Sequence, residues 1–415
     1  MGNGYGSLLR TPHTARLLGG TLLGRLPHGM AALGIMTFLR SEGAGYGVSG
    51  SLAALFGATV AVGQPLLGRA VDRRGQTWVM ALGALFSGAG FVLLAVVGSE
   101  PLPVAVAAVA LAGLAAPPLE GGMRALWPGL LKSEERVQAA YALDAAAQQI
   151  LFALGPLLVT FLIATGSERA ALIVTGTVGV IGTLVVITAG PSRSWRATAR
   201  AAHWLGALRS SRLLALLGTI LFVGVSLGGL SISAVAYGDE HGSGLIPACL
   251  LAANSFGALA GGLVYGSRSW PGTPEQRLRP LTAGLALCYL PLMLTPGLPW
   301  MILLALISGM FFAPVLACGF VVVDRAAPAG TVTEAFSWLV TALGVGVAIG
   351  TAVAGSAAQY GASGASFAVS GAGGLAALAV LVVCGRFFTV SKPVAPPQSG
   401  CDEKVATEVD FTSHA

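Results

Sequence analysis

Charge is scarce in this chain: Asp, Glu, Lys and Arg make up 10% of its 415 residues, where a soluble domain carries about 25%. A soluble surface needs more than that, which excludes soluble enzymes, disordered chains and nucleic-acid-binding modules. Lysine is rarer still. Only Lys132, Lys392 and Lys404 stand among 23 basic residues, and with so much Ala and Gly this points to a bacterial gene rich in GC codons. The five cysteines (Cys249, Cys288, Cys318, Cys384 and Cys401) show no metal-type spacing. Four lie in apolar stretches and read as small apolar residues, not as a disulfide framework. There is no Walker A lysine to support ATP-driven work. An unbroken signal-peptide core is also missing. The first apolar run, Leu17 to Leu39, is interrupted by Arg25, Pro27 and His28, so it reads as a retained helix.

Apolar sequence is what the chain has in abundance: 55% hydrophobic residues, with a mean hydropathy of +0.80. Its 59 glycines have no fixed period or matching proline content, which excludes collagen. At about 20 apolar residues per span, the chain has room for about twelve membrane helices. Runs at 17–39, 48–68, 77–98, 102–126, 138–165 and 170–190 predict a first set. A basic linker at 191–212 follows, then runs at 213–237, 245–266, 281–297, 299–323, 332–358 and 362–388. The expected organisation is a polar tail at 1–16, six-helix bundles at 17–190 and 213–388, and a disordered cytoplasmic tail at 389–415. The fold class is an all-α polytopic membrane protein.

Orientation follows from the bias of Lys and Arg toward inner loops. With the amino terminus inside, outer loops hold only Arg40 and Arg169, and Arg25 and Arg124 stay within the membrane; every other basic residue falls on the inner side. The basic charge is thus a topology signal, and both termini are expected in the cytoplasm. Thr331-Val332-Thr333-Glu334 has capping-box spacing, so Glu334 reads as a helix cap and not as a proton carrier. Ser133 and Ser167 precede acidic first turns as N-caps.

The halves also correspond in sequence. At an offset of 195, Ala140-Tyr141 meets Ala335-Phe336 and Gly155 meets Gly350. At 197, Ala116-Pro117 meets Ala313-Pro314 and Gly122 meets Gly319. At 200, Gly57-Ala58 meets Gly257-Ala258.

Between the second and third spans stands Gly68-Arg69-Ala70-Val71-Asp72-Arg73-Arg74-Gly75-Gln76. It resembles the loop signature G-x-x-x-D-R-x-G-R of the major facilitator superfamily, with Gln76 where a basic residue is usual. The span count, the central linker and the internal repeat extend the resemblance over nearly the whole chain. Leu114 to Pro128, with Arg124, and Ala140 to Pro156 are similar to helices four and five of bacterial members. Of the antiporter signature in helix five only Gly155-Pro156 is present; Leu158-Val159 replace the glycine pair. The resemblance implies two bundles rocking around a central site lined by helices one, four, seven and ten. It also implies a latch at the inner gate involving Gly68, Asp72, Arg73, Gly75, Arg124 and Asp144.

An ionisable group in hydrocarbon costs several kcal/mol (roughly 2.5–3.5 on insertion scales), so each is a functional candidate. Arg25 and His28 share a face of the first helix, and Glu120 and Arg124 share a face of the fourth. At 1.5 Å per residue, Arg25 lies about 12 Å and Glu120 about 10 Å from the inner ends, which permits an Arg25–Glu120 pair. That pair reads either as a coupling device, opened by protonation or by an anionic substrate, or as a permanent structural bridge. His28 reads as a proton carrier or as a hydrogen-bonded polar residue. In the second half the polar candidates are Ser226, Ser231, Asn254, Tyr265, Cys318, Trp338 and Gln359, which also suit interhelical hydrogen bonding.

Gly224 to Gly228 fits G-x-S-x-G around Ser226 but lies inside an apolar helix. Gly361-Ala362-Ser363-Gly364 resembles a rhomboid-protease serine motif, yet the only later His is His414. Gly344-Val345-Gly346 follows no strand and is not a nucleotide loop. The reading is a secondary transporter of a small organic molecule in the bacterial plasma membrane, with proton-coupled export preferred. Proton-coupled uptake is the alternative, and an intramembrane serine hydrolase using Ser226 or Ser363 is the alternative of another class. Sparse cavity charge suits a neutral or amphipathic substrate, or an anion at Arg25. No metal, cofactor or nucleic acid is implied. The expected energy source is the proton gradient, and the expected form is a monomer without an obligate protein partner.

Overall fold

The computed structural model describes residues 5–131, 133–198, 204–360 and 363–385. Lys132, Arg200, Arg386, Lys392, Lys404, Cys401 and the expected tail at 389–415 lie outside them. The first six spans are Thr14–Ser41, Tyr46–Arg74, Gln76–Val97, a fourth in two pieces (Leu102–Leu114 and Leu119–Leu130), Glu134–Thr165 and Glu168–Ile187. The second six are Ser211–Glu240, Ile246–Ser267, a ninth (Pro274–Tyr289, continued by the 3-10 turn Leu290–Leu294), a tenth in two pieces (Leu298–Gly309 and Phe312–Ala326), Val332–Tyr360 and Ser363–Val383. Eleven of the twelve are long and apolar enough to cross a membrane by length and composition. The ninth falls short because its α-helical part has 16 residues and opens with Glu275, Arg277 and Arg279. It still packs in sequence order against the tenth and twelfth spans.

Packing follows the internal repeat. The first span packs on the sixth as the seventh packs on the twelfth; the second packs on the fourth as the eighth packs on the tenth. Two seams join the halves: second against eleventh, and fifth against eighth. Glycine at these crossings lets backbones meet, as small residues do in membrane helix packing.

The fourth span breaks where Pro117 and Pro118 stand together, because neither ring nitrogen carries a proton for the helical ladder. Carbonyls freed in hydrocarbon need another donor. Gln64 Nε2 donates to Ala116 O at 3.2 Å, and Ser87 Oγ donates to Ala112 O at 2.7 Å. The break starts a new helix in mid-bundle, with Glu120 in its first turn.

The segment expected as a simple amino-terminal tail contains a short helix, Tyr5–Leu9. Its Tyr5 hydroxyl donates to Leu263 O in the other half at 2.8 Å. Burial pushes the Tyr5 phenol up to about 12, so it remains a donor at physiological pH. The linker also runs over this basic side: Ser192 Oγ donates to Gln76 Oε1 at 2.8 Å, and the Ala207 N–H donates to Glu334 Oε1 at 3.3 Å.

Candidate functional site

Four charged side chains close into a ring inside the first half. Arg25 Nη2 lies 2.8 Å from Glu120 Oε1, and Arg25 Nη1 donates to Asp144 Oδ1 at 2.8 Å. Arg124 Nε donates to Asp144 Oδ2 at 2.8 Å, while Arg124 Nη1 lies 3.2 Å from Glu120 Oε2. Two cations and two anions alternate, so the formal charge cancels and each carboxylate faces both guanidiniums. Such geometry offsets the desolvation of charge in a low-dielectric interior. The Asp144 side chain is 2% exposed and that of Glu120 11%, so Glu120 is the less enclosed of the two carboxylates. The positive end of the helix Leu119–Leu130 adds to the field around it.

The ring touches the second half through Arg124. Its guanidinium carbon sits 3.7 Å from the Phe320 ring centroid and 6.0 Å from that of Phe336, within cation–π range. Tyr141 joins both rings, at 6.0 Å from Phe320 and 5.9 Å from Phe336. Tyr141 and Phe336 are repeat partners at the offset of 195, and partners that touch must lie near the axis relating the halves. Sequence reasoning missed this aromatic cluster, although the Tyr141–Phe336 correspondence was its signal.

Asp72 stands apart from that ring. Its carboxylate accepts from the N–H groups of Thr333 at 3.0 Å and Glu334 at 2.8 Å, at the start of the eleventh span. An anion there meets both unpaired amides and the positive end of the helix. Asp72 therefore fills the role expected of a local capping box. Thr331 instead donates to Pro328 O, and Glu334 pairs with Arg69 at 2.6 Å across the same seam. The Asp72, Arg124 and Asp144 expected together are thus divided between two places. Gly68 permits the approach, since a Cβ there would stand 3.1 Å from Glu334 Cα. Gly75 has φ +87°, where glycine is favoured. Arg73 is exposed. Gln76 is fully buried and donates to Gly122 O at 2.9 Å; an arginine here would bring a charge where a neutral amide already has both partners.

His28 lies beside a small cavity in the first half, shared with Ser87 and Pro117. Its Nδ1 is enclosed, with no geometrically formed hydrogen bond among the described residues. Asn254 Nδ2 donates to Ser308 Oγ at 3.1 Å and Ala305 O at 3.2 Å within the second bundle. Trp338 Nε1 is enclosed without an acceptor among the described residues, and Gln359 is exposed. Ser231 donates to Leu227 O of its own helix. Cys318 Sγ donates to Pro274 O, and Tyr265 stacks on Trp270 at 5.7 Å. Ser226 donates to Phe222 O, also in its own helix. Ser363 begins the twelfth span, and its N–H donates to Glu240 Oε1 of the seventh at 2.6 Å. Among the described residues neither serine bonds a histidine.

Residues 18–333 match the sequence profile of the Major Facilitator Superfamily. Three similar solved structures are a human, a bacterial and an E. coli protein. The human organic anion transporter MFSD10 (TETRAN) is 18% identical over 88% of this chain and 98% of its own, with a TM-score of 0.68. A bacterial homologue of the iron transporter ferroportin, in an outward-facing state, is 14% identical over 90% and 99%, with a TM-score of 0.69. The E. coli fucose:proton symporter FucP is 12% identical over 91% and 98%, with a TM-score of 0.66. At such identities the likeness is one of fold. No curated protein sequence matches the chain.

Proposed function

The chain belongs to the Major Facilitator Superfamily, and from that premise we propose that it moves a small organic molecule by proton-coupled alternating access, in the direction of export. It is a multi-pass membrane transporter and not an enzyme. The observation that carries the coupling proposal is the closed ring Arg25–Glu120–Arg124–Asp144, resting through Arg124 on Phe320 and Phe336 of the other half.

Protonation of Glu120 leaves two guanidiniums sharing Asp144. The surplus positive charge destabilises the ring and frees Arg25 for an anionic group or Arg124 to leave its aromatic seat. The charge state of the first half is thereby linked to the contact between halves. Asp72 and Arg69 hold the basic-side seam shut against the start of the eleventh span, and Gly68 lets the two helices meet there. Export is preferred through the Gly155-Pro156 element of the family resemblance. The concentration of basic residues on one side supports a bacterial plasma membrane location with both termini cytoplasmic.

Proteoliposomes with an entrapped pH dye, given a panel of organic cations, organic anions and sugars, test this reading. An imposed proton gradient is expected to raise the flux of a transported compound several-fold and to carry protons with it. Equal flux with and without the gradient would remove the coupling. The sign of proton movement relative to substrate separates export from uptake.

A further inference from the structure

A cavity of about 280 Å³ opens on the basic side at the seam between the fifth and eighth spans, and no residue of the charge ring lines it. The amino-terminal helix, the start of the fifth span, the loop after the eighth and the end of the tenth enclose it. Four arginines line it: Arg136, Arg268, Arg277 and Arg325. Arg325 is compensated by Glu134 at 2.9 Å and Glu275 at 3.5 Å. The other three form no ion pair among the described residues. Arg136 donates to Ser7 O and Thr11 Oγ1, and Arg277 to Gln138 Oε1, all neutral acceptors. Arg268 is exposed and has no ion pair among the described residues. Glu135 is the other acidic group on the wall. The fifth and ninth spans both begin at this cavity, adding the positive ends of two helices.

The internal repeat explains why positive charge collects here. At an offset of 198, between the 200 and 197 found on either side of this loop, Gly68 corresponds to Gly266. The loop after the eighth span is thus the counterpart of the loop carrying Asp72. The residue at the Asp72 position is Trp270. At the second–eleventh seam a carboxylate from one half binds the helix start of the other. At the fifth–eighth seam that carboxylate is replaced by an indole.

We propose that this cavity binds a phosphate-bearing anion, which supplies the negative charge missing at the Asp72 counterpart and bridges Arg136 of the first half to Arg268 and Arg277 of the second. Phosphate oxygens match guanidinium donors in charge and geometry. A lipid headgroup and a free phosphate ester share this chemistry. The site is independent of the coupling reading and is tested by binding alone.

The test uses the full-length protein in phosphatidylcholine nanodiscs, titrated with pyrophosphate at constant ionic strength in a calorimeter. A second arm mixes in phosphatidylglycerol and reads retained lipid by native mass spectrometry. Saturable binding near one equivalent is expected in at least one arm; pyrophosphate binding identifies a free anion and phosphatidylglycerol retention alone identifies a headgroup. Arg136→Gln and Arg268→Gln, one from each half, are each expected to weaken binding about tenfold. Ser269→Glu places a negative charge on an exposed wall residue, so it is expected to weaken binding without disturbing packing. Absence of binding in both arms, or affinity unchanged in Arg268→Gln and Ser269→Glu, would overturn the proposal. Loss confined to one half's arginine would overturn the bridge.

Discussion

The two carboxylates of the ring look alike in sequence but differ in setting. Asp144 is the more enclosed, and each of its oxygens accepts a 2.8 Å bond from a different guanidinium. Removing one partner from a buried charge network costs about 3–5 kcal/mol. Asp144→Asn is therefore expected to lower expression and thermal stability sharply, whereas Glu120→Gln is expected to fold and to keep substrate exchange while losing gradient-driven accumulation. Exchange and accumulation assays on the same vesicles separate the two outcomes, and coupling retained in Glu120→Gln would take that residue out of the mechanism. Phe320→Leu keeps an apolar side chain and removes the ring beneath Arg124. A cation–π contact contributes about 0.5–2 kcal/mol, so the expected loss in thermal stability is of that size, accompanied by a changed pH profile of flux. Much at this scale is legible from residue type, because ionisable groups in apolar runs declare themselves. Arg25, Glu120 and Arg124 stand out in this way. What the runs do not contain is the partner across the bundle: Asp144 joins Arg25 over 119 positions of chain, and no local pattern encodes that reach.

Among elements, the fourth span and the second–eleventh seam decide how the site is held. The paired prolines predict an interruption by the same physics that makes proline a helix breaker, yet apolar content runs straight through 102–126 and masks it. Hydropathy reads composition, while the break is a matter of missing donors. The capping signal at Thr331–Glu334 misled for a related reason. Spacing marks where a helix begins, but a carboxylate from another element can occupy its amides, as Asp72 does. A charge at a helix start contributes about 0.3–2 kcal/mol. Asp72→Asn is accordingly expected to weaken the seam and alter the rate of gating, with substrate affinity little changed. Equal losses in affinity and turnover would contradict a latch. Gly68→Val would push the second and eleventh spans apart, since even a methyl at Gly68 meets Glu334 Cα at 3.1 Å. Faster maleimide labelling of cysteines placed on the basic side is the readout, and unchanged labelling would count against closure there.

For the whole molecule, the repeated apolar runs and the charge asymmetry made the twelve-span, two-bundle architecture legible before any coordinate. The ninth span shows where that reading thins: it combines a polar opening with a short α-helix, and its place is set by its neighbours. The halves meet through paired seams, and Thr341 Oγ1 donates to Ala61 O at 2.8 Å along one of them. Joining Ala61→Cys to Thr341→Cys is expected to arrest transport until the link is reduced. Flux that survives quantitative cross-linking would show that this seam need not part.

The contact between Tyr141 and Phe336 has a practical corollary. Two side chains facing each other across that axis near the basic side part when the bundles open there, so a fluorine atom on either ring would sense its companion's ring current and register that opening as a change in resonance frequency, with no substrate identified beforehand.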